Sequence, residues 1–186
     1  MTLIHRIYNA VVRRFRHMRF LLAARKNSIN NLGRVRGGNV LVLCYGNIYR
    51  SPFVANRLAS LLDESKWTIR SAGFYNKTDR PCADDFIILS KKLGVDLSKH
   101  RSRQVSEVDL QWADLIVIMD VKNRELLRNF GATAEMKAIW IGAWLTKSRV
   151  EVIDPYGKSA GEVEQITQRL SMAADTLAAQ LARLNF

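Results

Sequence analysis

The stretch Cys44-Tyr45-Gly46-Asn47-Ile48-Tyr49-Arg50-Ser51-Pro52 sets a thiol six residues ahead of a guanidinium, where an apolar run ends and a helical pattern begins. Phosphate binding needs backbone N–H groups converging on one point, a helix N-terminus beneath them and a planar cation beside them. Gly46 and Asn47 are expected to take the left-handed backbone that curls a loop's amides inward. Ser51 suits a helix N-cap and Pro52 the first helical position, so the next helix aims its dipole at the loop. The fork of Arg50 matches two oxygens of a phosphate. Thiols in such surroundings ionise at roughly pH 3.5 to 7.5 rather than near ~8.5, so nucleophile and anion site would coincide. The competing reading of Cys44 is an inert small hydrophobe closing a strand; Gly, Asn, Arg, Ser and Pro following in this order favour the nucleophile.

Such a loop must be held by a scaffold, and the pattern around it alternates. NVLVLC (39–44) is a continuous apolar run of strand length, as in a parallel strand covered on both faces. Phe53, Val54, Leu58, Leu61 and Leu62 then recur at helical spacing. WTIRSAG (67–73) reads as a second strand, followed by a helix over Phe86–Leu93 that Gly94 ends. ADLIVIMD (113–120) is the third strand, with a helix through Leu126, Leu127 and Phe130 after it, and MKAIWIG (136–142) is the fourth. A last helix aligns Val163, Ile166, Leu170, Ala174, Leu177, Leu181 and Leu184. Four strands alternating with helices predict an α/β fold, a doubly wound four-stranded parallel sheet with helices on both faces. Ligands bind such sheets at the carboxyl ends of the strands, and Cys44 stands at one of those ends.

The net charge of +12 is concentrated at the N-terminus: residues 1–38 carry nine Lys or Arg and no acid, and the remainder is nearly balanced. Gly33, Gly37 and Gly38 break the chain there, so the sequence divides into an extension, 1–38, and a domain, 39–186. Within the extension Ile4, Tyr8, Val11, Phe15, Met18 and Leu22 recur at alternating four and three residues. This spacing predicts a basic amphipathic helix over 4–22. It reads as a helix on an anionic membrane surface, a helix for contact with another helix, or a transit peptide. Nucleic acid is not expected, because no base-reading motif accompanies the charge. Two cysteines, Cys44 and Cys82, are too few for a disulfide framework and suit a reducing, cytoplasmic compartment. No apolar run approaches the roughly 20 residues of a membrane span.

VLVLCYGNIYRSP resembles the phosphate loop of the low-molecular-weight protein tyrosine phosphatases. The likeness continues in the family's order through SAG (71–73), HRSRQV (100–105), ADLIVIMD with Asn123 and Leu126 after it, and DPYG (154–157). C-x5-R alone recurs on unrelated phosphatase folds; here the acid follows the cysteine by 110 residues, which separates this class from those whose acid loop comes first. The resemblance implies a flavodoxin-like fold and hydrolysis of phosphotyrosine in proteins, and of aryl phosphates, through a phosphocysteine. Cys44 is then the nucleophile. Arg50 and the amides of the loop (Tyr45, Gly46, Asn47, Ile48, Tyr49, with Ser51 after it) hold the equatorial oxygens. Asp154 serves as general acid and then general base. It further implies that Ser51 donates to the thiolate, that Asn47, Ser71 and His100 brace the loop, and that Tyr45 and Tyr156 wall the substrate slot. No metal or cofactor takes part. The implied partner is a phosphotyrosine-bearing protein, in bacterial relatives often a tyrosine kinase of polysaccharide export. Against these roles stand plainer ones: Asp154 as a turn residue, Ser51 as a helix cap, His100 and the two tyrosines as surface residues.

Tyr49 departs from the family pattern. Many members carry a second cysteine there, which can trap an oxidised nucleophile as a reversible disulfide. Its absence predicts the same chemistry with less defence against oxidation, and Cys82 is expected to be structural. Two rivals remain: an arsenate reductase, which needs resolving cysteines near the site, and a silent phosphate-binding module, which would have lost Cys44, Arg50 or Asp154.

Overall fold

In β1 (Asn39–Cys44) every residue after the first is buried, because alternate side chains feed two separate cores. Val40, Val42 and Cys44 join Phe53, Val54 and Leu58 of α2 (Arg50–Leu61), Phe86 of α3 (Asp84–Lys92) and Leu170 of α7 (Ala160–Leu181). Leu41 and Leu43 join Ala24 of α1 (Leu3–Leu32), Leu110 of α4 (Glu107–Trp112), Leu127 of α5 (Val121–Arg128) and Ala134 of α6 (Ala132–Met136). A strand covered on both faces has no room for polar side chains, which is why NVLVLC lacks the alternation of a half-exposed strand.

The remaining strands are β2 (Thr68–Gly73), β3 (Leu115–Ile118) and β4 (Ala138–Trp140). The sheet order is β2-β1-β3-β4 with every pairing parallel. The chain therefore winds from β1 to one side and then to the other, and the carboxyl ends of β1 and β3 flank the switch point where this architecture binds ligands. The computed structural model describes residues 3–145 and 149–184. Outside the description lie the two residues at each end, 146–148, and the side chains of Leu3, Ile4, Arg6, Asn9, Ala10 and Arg13. Among the described residues no helix is long and apolar enough to cross a membrane.

Two short helices, α4 and α6, have no counterpart in the periodicity reading, since six and five residues are too few to display a period. For the same reason β4 is shorter than MKAIWIG suggests: Met136 ends α6 and Lys137 caps it.

The basic helix runs ten residues beyond the expected Leu22, to Leu32. Its second half is part of the fold. Ala24, Ser28 and Leu32 are buried, and the helix covers the otherwise unpaired edge of β4. Ser28 Oγ accepts from Trp140 N at 3.0 Å, Asn31 Nδ2 donates to Ala138 O at 2.8 Å, and Arg25 Nη2 donates to Leu145 O at 2.9 Å. An exposed edge strand invites pairing with another chain, and these side chains take up its free groups instead. Between residues 33 and 38 the helix ends and the chain turns into the sheet, but the packing is continuous across that break.

Candidate active site

Cys44 ends β1 with 2% exposure. Its Sγ lies 3.0 Å from Ser51 Oγ and accepts the Asn47 amide at 3.2 Å. The local fold around the thiol differs from the sequence expectation in two respects. Ser51 does not cap α2: the helix begins at Arg50 with Tyr49 at the N-cap and no side-chain cap bond. The Ser51 hydroxyl is instead engaged by Cys44 and by Asn47 Nδ2 (2.9 Å), and reaches Ala72 O at 3.3 Å. Pro52 consequently sits third in the helix, still among the first four positions whose N–H has no intrahelical acceptor. Nor does Gly46 take a left-handed conformation; Asn47 alone in the loop does, with φ +51°.

That conformation costs an asparagine about 1 to 3 kcal/mol, and the bonds converging on Asn47 account for it. Besides its amide on Cys44 and its Nδ2 on Ser51, Asn47 donates to Ser71 Oγ at 3.0 Å. Its Oδ1 accepts the Arg103 amide at 2.9 Å, and its carbonyl lies 2.8 Å from His100 Nε2. At roughly 0.5 to 1.5 kcal/mol each, these bonds outweigh the backbone cost. Gly73 allows the approach: a Cβ there would stand 2.7 Å from Tyr45 O and 2.9 Å from Asn47 N. The glycine of SAG is thus fixed by the loop that lies against it.

His100 is not a surface histidine. A carbonyl can only accept, so Nε2 carries the proton toward Asn47. Burial, which outweighs that bond, and the nearby Arg101 pull the imidazole below its ordinary value. In the unfolded chain the ring titrates near ~6.5, so in the window just below that value the unfolded chain binds a proton that the folded chain does not. The contribution of His100 is complete above about pH 6.5 and falls as the pH drops through the window. Melting midpoints from about pH 7 to about pH 5 are expected to decline less steeply in His100→Gln than in the wild type; equal slopes would remove His100 from the pH dependence.

Arg50 is 1% exposed and its guanidinium is divided between two duties. The Nη1 end donates to Asp120 and, at 3.0 Å, to Val152 O. The Nη2 end donates to Asp154 Oδ2 at 2.6 Å. Nε is buried with no hydrogen-bond partner. Burial alone would lower the pKa of Arg50, but the charges of Cys44, Asp120 and Asp154 raise it on balance, so the cation is secure. Asp120 escaped the sequence reading as a functional residue. The signal was an acid at the end of an apolar strand, where it also caps α5 by accepting the Asn123 amide at 2.8 Å. Sheet order, which brings β3 beside β1, was needed to connect it to Arg50.

A cavity of about 570 Å³ gathers the rest. Cys44, Gly46, Ile48, Arg50 and Asp154 line it, with Tyr45, Tyr49, Tyr75 and Tyr156 as its aromatic walls and Lys77, Arg80 and Lys122 as its cations. Ser51, Asn47, Ser71 and His100 stand behind the loop, outside the lining. Tyr75 is tilted against Tyr45 with ring centroids 5.5 Å apart. Lys122 Nζ lies 3.5 Å from the centroid of Tyr45, and Arg80 Cζ 4.8 Å from that of Tyr75. Tyr156 is 75% exposed, and its amide donates to Asp154 Oδ1 at 3.2 Å.

Tyr49 packs edge-on against Phe86, centroids 4.7 Å apart. Cys82 is buried in the same core as Cys44, and burial together with Cys44 pushes its thiol up to about 12. A thiol that stays protonated at neutral pH attacks an oxidised partner slowly, so Cys82 is a poor replacement for the missing loop cysteine. Among the described residues no cluster of three or more His, Cys, Asp or Glu could hold a metal.

Residues 39–185 match the family described as low molecular weight phosphotyrosine protein phosphatase. The chain belongs to this family. A probable low molecular weight protein-tyrosine-phosphatase of Erwinia amylovora, AmsI, is 30% identical over 145 residues, which is 78% of this chain and 98% of that one. Vibrio vulnificus Wzb, solved with benzylphosphonate, superposes with a TM-score of 0.71 at 29% identity, covering 78% of this phosphatase and all of Wzb. The tyrosine phosphatase Wzb of Escherichia coli K30, solved with sulphate, gives a TM-score of 0.72 at 29% identity over 78% of this chain and 99% of that one. This phosphatase thus shares its fold with them over 78% of its length, and the α1 helix precedes residues 39–185 of the family match.

Proposed function

We propose that the protein hydrolyses phosphotyrosine in acidic protein segments through a phosphocysteine on Cys44, with Arg50 as the phosphate clamp and Asp154 as general acid and base. The observation that carries this reading is the divided guanidinium. Nη1 is anchored to Asp120 and Val152 O, whereas Nε, buried and unpartnered, lies on the same edge of the guanidinium as Nη2. That edge is the one with which arginine grips two oxygens of a phosphate. An oxyanion in the loop would bond Nε and compete with Asp154 for Nη2, freeing the carboxyl as the anion arrives.

In the first step Cys44 Sγ attacks phosphorus, the S–P bond forms as the P–O bond to the aryl group breaks, and Asp154 gives its proton to the departing phenolate. In the second step a water attacks phosphorus while Asp154 takes its proton, and the thiolate leaves as phosphate is released. Covalent catalysis replaces one difficult displacement by two, and the same carboxyl acts in both. Ser51, 3.0 Å from the sulfur, donates to the thiolate form. The aromatic walls Tyr45, Tyr75 and Tyr156 suit a phosphotyrosyl ring.

The cationic rim of Lys77, Arg80 and Lys122 favours acidic residues beside that phosphotyrosine. A phosphotyrosine-bearing protein is accordingly the partner, and the family resemblance suggests a tyrosine kinase of polysaccharide export. Both thiols are free, in keeping with the cytoplasm.

The test is turnover by the purified protein of an aryl phosphate and of two phosphotyrosine peptides, one with acidic and one with basic flanks, with acid quenching to trap phosphate on Cys44. Turnover, trapped phosphocysteine and a several-fold preference for acidic flanks that raised salt abolishes are expected. No turnover above buffer together with intact phosphate binding would make the protein a binding module instead.

A further inference from the structure

The α1 helix has two apolar faces, and the fold uses one. Phe20, Leu21, Ala24 and Leu32 point to the sheet, with Ser28 bonded to the edge of β4. Tyr8, Val11, Phe15, Met18 and Leu22 form the other face, and each is more than half exposed. At 3.6 residues per turn the two faces are centred about 130° apart, so the outer stripe is not the margin of the packed one. Exposed cations border it: Arg14 on one side, Arg19 and Lys26 on the other. The Arg19 guanidinium lies 6.0 Å from the centre of the Phe15 ring.

Charge selects what covers this stripe. Residues 1–38 hold nine Lys or Arg and no acid. Symmetric pairing of the stripe with a second copy would bring the cations of both helices together with no acid on either to answer them. A surface that is apolar at depth and anionic at its rim satisfies both features: the aromatic and aliphatic side chains sink to the boundary of the acyl chains, and the arginines and lysine remain among the headgroups. Among the described residues no helix is long and apolar enough to cross a bilayer, so the arrangement open to α1 at such a surface is in its plane.

Its direction matters as well. Residues 25, 28 and 31 of α1 bond residues 145, 140 and 138 in turn, so the helix runs antiparallel to β4. Its N-terminal half therefore extends past the carboxyl ends of the strands, by about 20 Å at 1.5 Å per residue. His17, 4.0 Å from Glu151, is level with the segment whose Val152 carbonyl holds Arg50. The stripe thus projects on the side of the sheet where the phosphate loop opens.

We propose that the outer stripe of α1 binds an anionic lipid surface and holds the phosphate-loop side of the domain beside it. The experiment is co-flotation of the full chain with vesicles of phosphatidylglycerol and phosphatidylcholine against vesicles of phosphatidylcholine alone. Partition onto the anionic vesicles at least tenfold above the neutral ones is expected, weakening as salt is raised. Phe15→Asp with Leu22→Asp, both on the exposed stripe, should cut that partition at least tenfold and leave turnover of a soluble aryl phosphate unchanged. Equal partition onto both vesicles, or undiminished binding by the double variant, would overturn the proposal. So would a wild-type dimer in sedimentation that the double variant dissociates, since the stripe would then belong to a second copy. Lipid binding is read without any turnover, so its failure and a failure of the phosphatase mechanism are separate results.

Discussion

Cys44→Ser is expected to abolish turnover, by roughly 10⁴-fold or more, while phosphate still binds. A serine hydroxyl at this position is not ionised at neutral pH, and among the described residues the groups hydrogen-bonded to the sulfur, Ser51 Oγ and the Asn47 amide, are not bases that could take its proton. The S–P bond cannot form, and the enzyme loses its route rather than a fraction of its efficiency. The anion site does not depend on the sulfur. Its loop is held from behind by Asn47 through Ser71, Arg103 and His100, and Arg50 by Asp120 and Val152. The neutral hydroxyl of serine is smaller than the sulfur and leaves the loop amides and the free edge of Arg50 open to the anion. Titration calorimetry should find inorganic phosphate bound at least as tightly as by the wild type. Residual turnover well above buffer would dismiss Cys44 as nucleophile, and loss of phosphate binding would mean that the thiol shapes the loop.

What sequence could and could not reveal about this site follows from how local each requirement is. The strands were legible because burial on two faces forces unbroken apolar runs such as LVLC and LIVI. The loop was legible because its residue types follow one another within nine positions. The place of Asp154 beside Arg50 was legible only through its order in the chain. The errors lay where two roles compete for one residue. Ser51 has the type of a cap, yet a sulfur 3.0 Å away engages its hydroxyl. Gly46 has the freedom to take a left-handed turn, yet Asn47 takes it, because only Asn47 gains hydrogen bonds by doing so. Asp120 and Arg103 act across the sheet, at 70 and 56 residues from the groups they hold, and no periodicity carries that information. The apolar stripe of α1 was visible in the sequence, but the second face at Ala24, Ser28 and Leu32 was not. Small and polar residues that answer a strand edge produce no hydrophobic period.

Asp154→Ala should slow hydrolysis of phenyl phosphate by about 10² to 10⁴-fold and that of an ester with an acidic nitrophenol far less. The argument is one of leaving groups. A phenolate like that of tyrosine, whose conjugate acid ionises near ~10, leaves poorly without a proton; a nitrophenolate scarcely needs one. The rate of the variant should therefore fall steeply with leaving-group basicity where the wild type varies little. Asp154 also bonds Arg50 at 2.6 Å, so a slow Ala variant could reflect a displaced guanidinium instead. Asp154→Asn separates the two. Its amide oxygen still accepts from Nη2, keeping Arg50 in register, but it has no acidic proton to give. If Asp154 is the acid, Asn behaves as Ala does on phenyl phosphate, and both bind inorganic phosphate as the wild type does. If it only positions Arg50, Asn recovers most of the rate, the dependence on leaving group stays flat, and phosphate affinity falls in the Ala variant alone.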